Sequence, residues 1–245
     1  MKTRFSLTLL AKELQELSLA TLLCLTFVWA TPSLAQKPGD AGQKIATQGT
    51  TQGVLACATC HGAQGEGMAV FPRLAGTGQI YLQAQLDAFA NGSRKNAVMY
   101  PIAQKLTPAE RLAVTSYYSQ LPAPFRAAEA ASPRPDATGA WLASRGNWSV
   151  GVPACAQCHG PGGNGVGEQF PPLAGLPASY ITEQLQAWKT DSRPPGPLAL
   201  MPHIAKALTD AEMTAVADYY AKLTAATAPS AAKPGNPVAT KSSTP

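Results

Sequence analysis

Cysteine is scarce in this chain, and its placement is narrow. Five cysteines occur in 245 residues, and Cys24 lies in an apolar stretch near the N-terminus. The other four, Cys57, Cys60, Cys155 and Cys158, form two pairs of identical spacing. With Cys24 expected to be removed with that N-terminal stretch, no thiol is left over for a disulfide framework, a separate zinc site or a thiolate ligand to iron. Charge is also thin. Only 13% of residues are Asp, Glu, Lys or Arg, and despite a net charge of +5 there is no basic cluster, which argues against nucleic acid as a partner. Long β-branched runs are missing, which suits short helices joined by loops rather than a sheet protein. Paired carboxylates, a nucleophile triad and a phosphate-cradling glycine loop are absent as well; Gly62 to Gly67 follows a cysteine motif and reads as loop. Histidine occurs three times, and two of the three directly follow the second cysteine of a pair.

Those two places are Cys57-Ala58-Thr59-Cys60-His61 and Cys155-Ala156-Gln157-Cys158-His159. C-x-x-C-H is the attachment signature of c-type haem. One helical turn sets both thiols along one porphyrin edge, where each can add to a vinyl group, and the next imidazole binds iron. A thioredoxin-like redox pair needs no trailing histidine, and neither motif stands in a βαβ pattern. A zinc ribbon wants its second pair about 15 to 20 residues after the first; here the interval is several times longer. The sequence therefore predicts two covalently attached haem c groups, held by Cys57, Cys60, Cys155 and Cys158, with His61 and His159 as iron ligands.

The motifs belong to a longer repeat. Phe71-Pro72 matches Phe170-Pro171, Leu74-Ala75-Gly76 matches Leu173-Ala174-Gly175, and Tyr81, Gln85-Leu86 and Phe89 match Tyr180, Gln184-Leu185 and Trp188. Ser93-Arg94, Met99, Leu106-Thr107 and Tyr117-Tyr118 recur as Ser192-Arg193, Met201, Leu208-Thr209 and Tyr219-Tyr220. The offset grows from 98 to 102, so the insertions fall in loops. Each copy reads as a small helical domain: a helix near 41–47 or 138–144, the motif, a middle helix after Leu-Ala-Gly, and a last helix opened by a capping box. Thr107, Pro108 and Glu110 build that box in the first copy, Thr209 and Glu212 in the second. Val114, Tyr118 and Leu121 would face inward. The fold class is all-α, with two tandem haem domains related by the repeat.

The predicted divisions are a signal peptide at 1–35, a first domain at 36–121, a linker at 122–135, a second domain at 136–224 and a disordered tail at 225–245. Lys2, Arg4 and Lys12 precede an apolar run from Leu17 to Ala30, and Ser33-Leu34-Ala35 offers a cleavage site. An uncleaved membrane anchor is the alternative, because the leading region is long and holds Glu13 and Glu16. Export agrees with the chemistry, since c-type haem is attached outside the bacterial cytoplasm. The linker is rich in Pro and Ala and reads as semi-rigid.

For the sixth iron ligand the repeat singles out Met99 and Met201, both placed in a loop ahead of the last helix. Met68 and Met213 have no counterpart in the other copy, and Met213 falls inside a helix, where a packing role is expected. His203 matches Pro101 and reads as a solvated loop residue. Methionine opposite histidine favours reduced iron and raises the potential. Pro72 and Pro171 are candidate carbonyl acceptors for the ligand imidazoles. Arg94 and Arg193 are candidates to hold haem propionates, with a solvated surface arginine as the alternative. Phe89 and Trp188 are expected on or near the porphyrin.

Two C-x-x-C-H-G motifs, each followed by F-P-x-L-A-G, a Tyr and Gln-Leu helix, a methionine and a Tyr-Tyr helix, resemble the dihaem cytochrome c4 family over about 41–223. The resemblance implies two cytochrome c folds related by a pseudo-twofold axis. It also implies a periplasmic one-electron carrier, often membrane-associated, taking electrons from a donor of the quinol-cytochrome c reductase type and passing them toward a terminal oxidase. A cytochrome subunit of a periplasmic dehydrogenase or flavocytochrome complex is the alternative. A dihaem peroxidase or thiosulfate-oxidising enzyme fits less well, because catalysis at haem needs an open or labile sixth position. Residues 36–125 carry seven Lys/Arg against four Asp/Glu, and residues 136–225 five against seven. The two ends are thus expected to steer different partners.

Overall fold

The computed structural model describes residues 38–124, 126–127, 134 and 137–223. The expected leader and tail, and much of the linker, lie outside the described residues. Ten α-helices run through the described part, five in each copy. In the first copy they are α1 (Pro38–Gln48), α2 (Ala58–His61), α3 (Gln79–Ala90), α4 (Met99–Lys105) and α5 (Pro108–Gln120). In the second they are α6 (Thr138–Ser144), α7 (Cys155–His159), α8 (Ala178–Lys189), α9 (Leu200–Ala207) and α10 (Asp210–Lys222). Among the described residues there is no strand, only isolated bridges such as Met68 with Phe71 and Val166 with Phe170.

Local chemistry explains where the last helix of each copy begins. Thr107 accepts from the Glu110 amide, and the Glu110 carboxylate accepts from the Thr107 amide at 2.8 Å, satisfying amides that have no partner inside the helix. Thr209 and Glu212 repeat the arrangement at α10, again at 2.8 Å. Each last helix packs against the first helix of its copy, α1 on α5 and α6 on α10. The crossing is close enough to need a residue without a side chain: a Cβ on Gly42 would strike the Ala113 carbonyl, and one on Gly139 the Ala215 carbonyl.

The copies bury separate cores. Ile45, Leu82, Leu106, Val114 and Tyr118 cluster in the first, with Leu121 packed against them. Leu142, Val152, Ile181, Leu185, Met213 and Tyr220 cluster in the second. Met213 is fully buried there, in the packing role expected of it. The paired tyrosines keep one geometry in both copies, with ring centroids 5.2 Å apart.

Two expectations need correction. Met99 and Met201 do not sit in loops: Met99 opens α4, and Met201 is in the first turn of α9. His203 is exposed as expected, but on α9 rather than in a loop. Period-based reading misses such helices because seven or eight residues, one of them a proline, are too few to show an amphipathic stripe.

Candidate functional site

Each cysteine motif is itself a short helix, α2 or α7, closed by a glycine at positive φ (Gly62, 87°; Gly160, 80°). All four cysteines are half-buried and unpaired. Burial pushes the thiols of Cys57 and Cys155 up to about 11. Cys155 lies against the second core, and Cys57 against the first.

The histidine ending each motif is buried and oriented by the chain that returns beside it. Nδ1 of His61 lies 2.7 Å from the Pro72 carbonyl, and Nδ1 of His159 lies 2.7 Å from the Pro171 carbonyl. A carbonyl can only accept, so Nδ1 carries the proton in both rings and Nε2 keeps its lone pair. Burial lowers the pKa of both imidazoles, against the opposing pull of the proline carbonyls. A neutral imidazole with a fixed tautomer and a free Nε2 is what iron requires of it. Phe71 and Phe170 stand edge-on to these rings, at 5.9 Å and 6.3 Å between centroids.

Arg94 and Arg193 are neither at the surface nor apart. They are 6% and 4% exposed and meet where the two copies face each other. Arg94 donates to Gln85 of its own copy at 2.9 Å, and to Gln184 at 2.6 Å and the Tyr180 hydroxyl at 3.1 Å in the other. Arg193 donates to its own Gln184 at 3.0 Å, and across to Gln85 at 2.8 Å and the Tyr81 hydroxyl at 3.0 Å. Each guanidinium stacks on the aromatic ring of its own copy, Arg94 on Phe89 at 4.4 Å and Arg193 on Trp188 at 3.8 Å. Phe89 and Trp188 thus support arginines. Burial lowers the pKa of Arg193, and the neighbouring Arg94 charge adds to the lowering. At Tyr81 burial acts to raise the pKa, but the two guanidiniums override it and the net shift is downward.

This ring of six was only half visible in the sequence. The repeat pairs Tyr81 with Tyr180, Gln85 with Gln184 and Arg94 with Arg193, yet it does not show that the pairs meet each other. The donors that the structure places fit haem c: two thiols and one oriented imidazole per copy. The ring offers a second test. Among the described residues no carboxylate pairs with either guanidinium, and two buried cations held by neutral oxygens call for an anionic partner.

The comparisons agree with the geometry. The cytochrome c family model matches twice, at residues 39–122 and 144–224. The chain is 49% identical over 185 residues to the thiosulfate dehydrogenase electron acceptor of Stutzerimonas stutzeri (strain A1501), covering 74% of this chain and 86% of that one. It is 35% identical over 184 residues to cytochrome c4 of Thiocapsa roseopersicina, covering 74% and 92%. Among solved structures, thiosulfate dehydrogenase (TsdBA) from Marichromatium purpuratum matches with a TM-score of 0.67 and 44% identity over 75% of this chain. This chain spans only 40% of that longer one.

Two tandem cytochrome c domains, each with its attachment motif, make the protein a c-type cytochrome with two covalently bound haem c groups. The chain belongs to the dihaem cytochrome c4 family, whose members here are electron-transfer proteins rather than enzymes. Among the described residues no helix is long and apolar enough to cross a membrane.

Proposed function

We propose that this dihaem electron carrier accepts electrons from a periplasmic thiosulfate dehydrogenase and hands them on within a respiratory chain. The observation that carries the reading is the 49% identity to a thiosulfate dehydrogenase electron acceptor, along most of both chains. A second such acceptor, from Thiomonas intermedia (strain K12), is 45% identical over 201 residues. The dehydrogenase-partner role, secondary when the motifs are read alone, thereby moves ahead of a free carrier between quinol-cytochrome c reductase and terminal oxidase. Export to the periplasm, and the division at 36–121, 122–135 and 136–224, belong to the same proposal.

The residue assignments follow from the chemistry of each site. Cys57, Cys60, Cys155 and Cys158 form the thioether links. His61 and His159 present Nε2 to iron, held in that tautomer by Pro72 and Pro171. Met99 and Met201, in the first turns of α4 and α9, would supply thioether sulfur to iron. Arg94 and Arg193 neutralise propionates. Each haem supplies one-electron exchange at iron. With an imidazole and a thioether both bound, iron would keep no position for a substrate, which suits electron transfer alone.

The test is stopped-flow reduction of the purified holoprotein by a thiosulfate dehydrogenase supplied with thiosulfate. Rapid reduction of both haems supports the reading. Reduction no faster than that of an unrelated single-haem cytochrome c would remove it and restore the reductase-to-oxidase carrier.

A further inference from the structure

The surface between the two copies is symmetric at its centre and lopsided at its edge. The central ring treats both copies alike. Beside it, Glu168, in the loop after α7, crosses to the N-terminus of α3. Its carboxylate accepts from the Gln79 amide at 2.6 Å, and its backbone carbonyl accepts from the Tyr81 amide at 2.9 Å. Both amides lie in the first turn, where no carbonyl of the helix itself can serve them. The second copy thus completes the start of a helix in the first.

The arrangement has no mirror image. By the repeat, Ala69 stands where Glu168 would be in the first copy, and it has no carboxylate to offer. Pro177 stands before α8 where Gly78 stands before α3. A Cβ on Gly78 would lie 2.5 Å from the Glu168 carbonyl oxygen, so the approach depends on glycine there. Tyr81 is consequently gripped by the second copy at both ends, through its amide by Glu168 and through its hydroxyl by Arg193. The loop carrying Glu168 joins His159 to Pro171, the pair linked at Nδ1. In the same loop, Asn164 bonds the amide and the carbonyl of Ala127, both at 2.9 Å, in the segment connecting the copies. One loop therefore touches the second iron-ligand histidine, the connector and α3.

We propose that Glu168 is a cross-domain latch: a positioning residue that locks α3, with Tyr81 and Gln85 on it, onto the second copy and so holds the two haem sites in one mutual geometry for internal electron exchange. The functional part rests on reading both copies as haem sites. The latch acts through two backbone amides and needs an acceptor oxygen rather than a charge. Glutamine retains an acceptor at that place and alanine does not.

The experiment compares the holoprotein with Glu168→Ala, Glu168→Gln and Gly78→Ala, using amide hydrogen exchange, flash-induced electron exchange between the haems, and near-infrared spectra of both irons. Losing that acceptor in Glu168→Ala is expected to speed exchange at the Gln79 amide about tenfold or more. Internal electron exchange slows at least about twofold as the mutual orientation loosens. The spectra stay unchanged. Gly78→Ala displaces the Glu168 carbonyl and speeds exchange at Tyr81, while Glu168→Gln stays near the parent. If Glu168→Ala matches the parent in amide exchange and in internal transfer, there is no latch. If Glu168→Gln is as impaired as Glu168→Ala, charge is responsible and the acceptor argument fails. A parent protein with fewer than two haems would instead overturn the reading of the sites.

Discussion

Arg94 donates through Nη2 to Gln184 Oε1 at 2.6 Å, bonding a residue 90 positions away in the other copy of the repeat. The same oxygen accepts from Arg193 at 3.0 Å, so one glutamine carbonyl serves a guanidinium from each copy. Gln85 does the same in return, at 2.9 Å and 2.8 Å. The duplication has produced a joint in which equivalent residues complete each other.

That joint makes Gln184→Leu costly. The leucine fills similar volume but strips an acceptor from two buried cations, and buried donors of charged groups left without partners cost about 2 to 3 kcal/mol. Denaturant unfolding of the holoprotein should show a lower midpoint, with a larger loss than for an exposed change such as Gln120→Leu.

The two methionine assignments predict separable spectra. Met99→Leu and Met201→Leu should each remove one of two near-infrared methionine-to-iron bands, halving the total intensity and lowering the potential of that haem alone. Met213→Leu, deep in the second core, should leave both bands in place. Loss of both bands from one substitution would contradict the assignment.

The α6–α10 crossing leaves no space at Gly139, where a side chain would meet the Ala215 carbonyl and Tyr219 Cβ. Gly139→Val should destabilise the second domain by about 3 kcal/mol through overpacking. Thermal melts followed at each haem would show the second site released first.

The capping box of α10 carries a pH signature. The Thr209 amide holds the Glu212 carboxyl below the usual carboxylate range. A folded-state pKa below the unfolded one contributes stability that is complete above the unfolded value, about 4.5, and is lost as pH falls through the folded value. Glu212→Gln should therefore remove part of the stability loss seen on acidification below that point, measured by denaturation midpoints from pH 6 downward. Thr209→Ala should cost about 1 kcal/mol at neutral pH.

What was legible in the chain was what lies close together along it. Five adjacent residues suffice for a haem-attachment motif, and four for a capping box, so Cys57 to His61 and Thr107 to Glu110 could be read directly. The repeat then narrowed the methionine candidates to Met99 and Met201 by showing which have counterparts. The short helices that carry them were missed, because a proline inside seven or eight residues hides any period. For Arg94 and Arg193 the sequence left propionate or solvent open. Folding buries both, and gives them partners that no local pattern reveals.

The amino-acid order by itself determined the chemistry of this protein: two haem-attachment motifs and the doubling of an all-α domain. Each depends on residue type and short spacing, and these survive in an unfolded chain. Only the tertiary structure decided how the copies address one another. The contact between Tyr81 and Arg193 spans 112 residues, and the one between Gln79 and Glu168 spans 89. Such pairs form once two separately folded surfaces meet, and hydrogen-bond geometry across that meeting, rather than sequence spacing, selects which residues become partners.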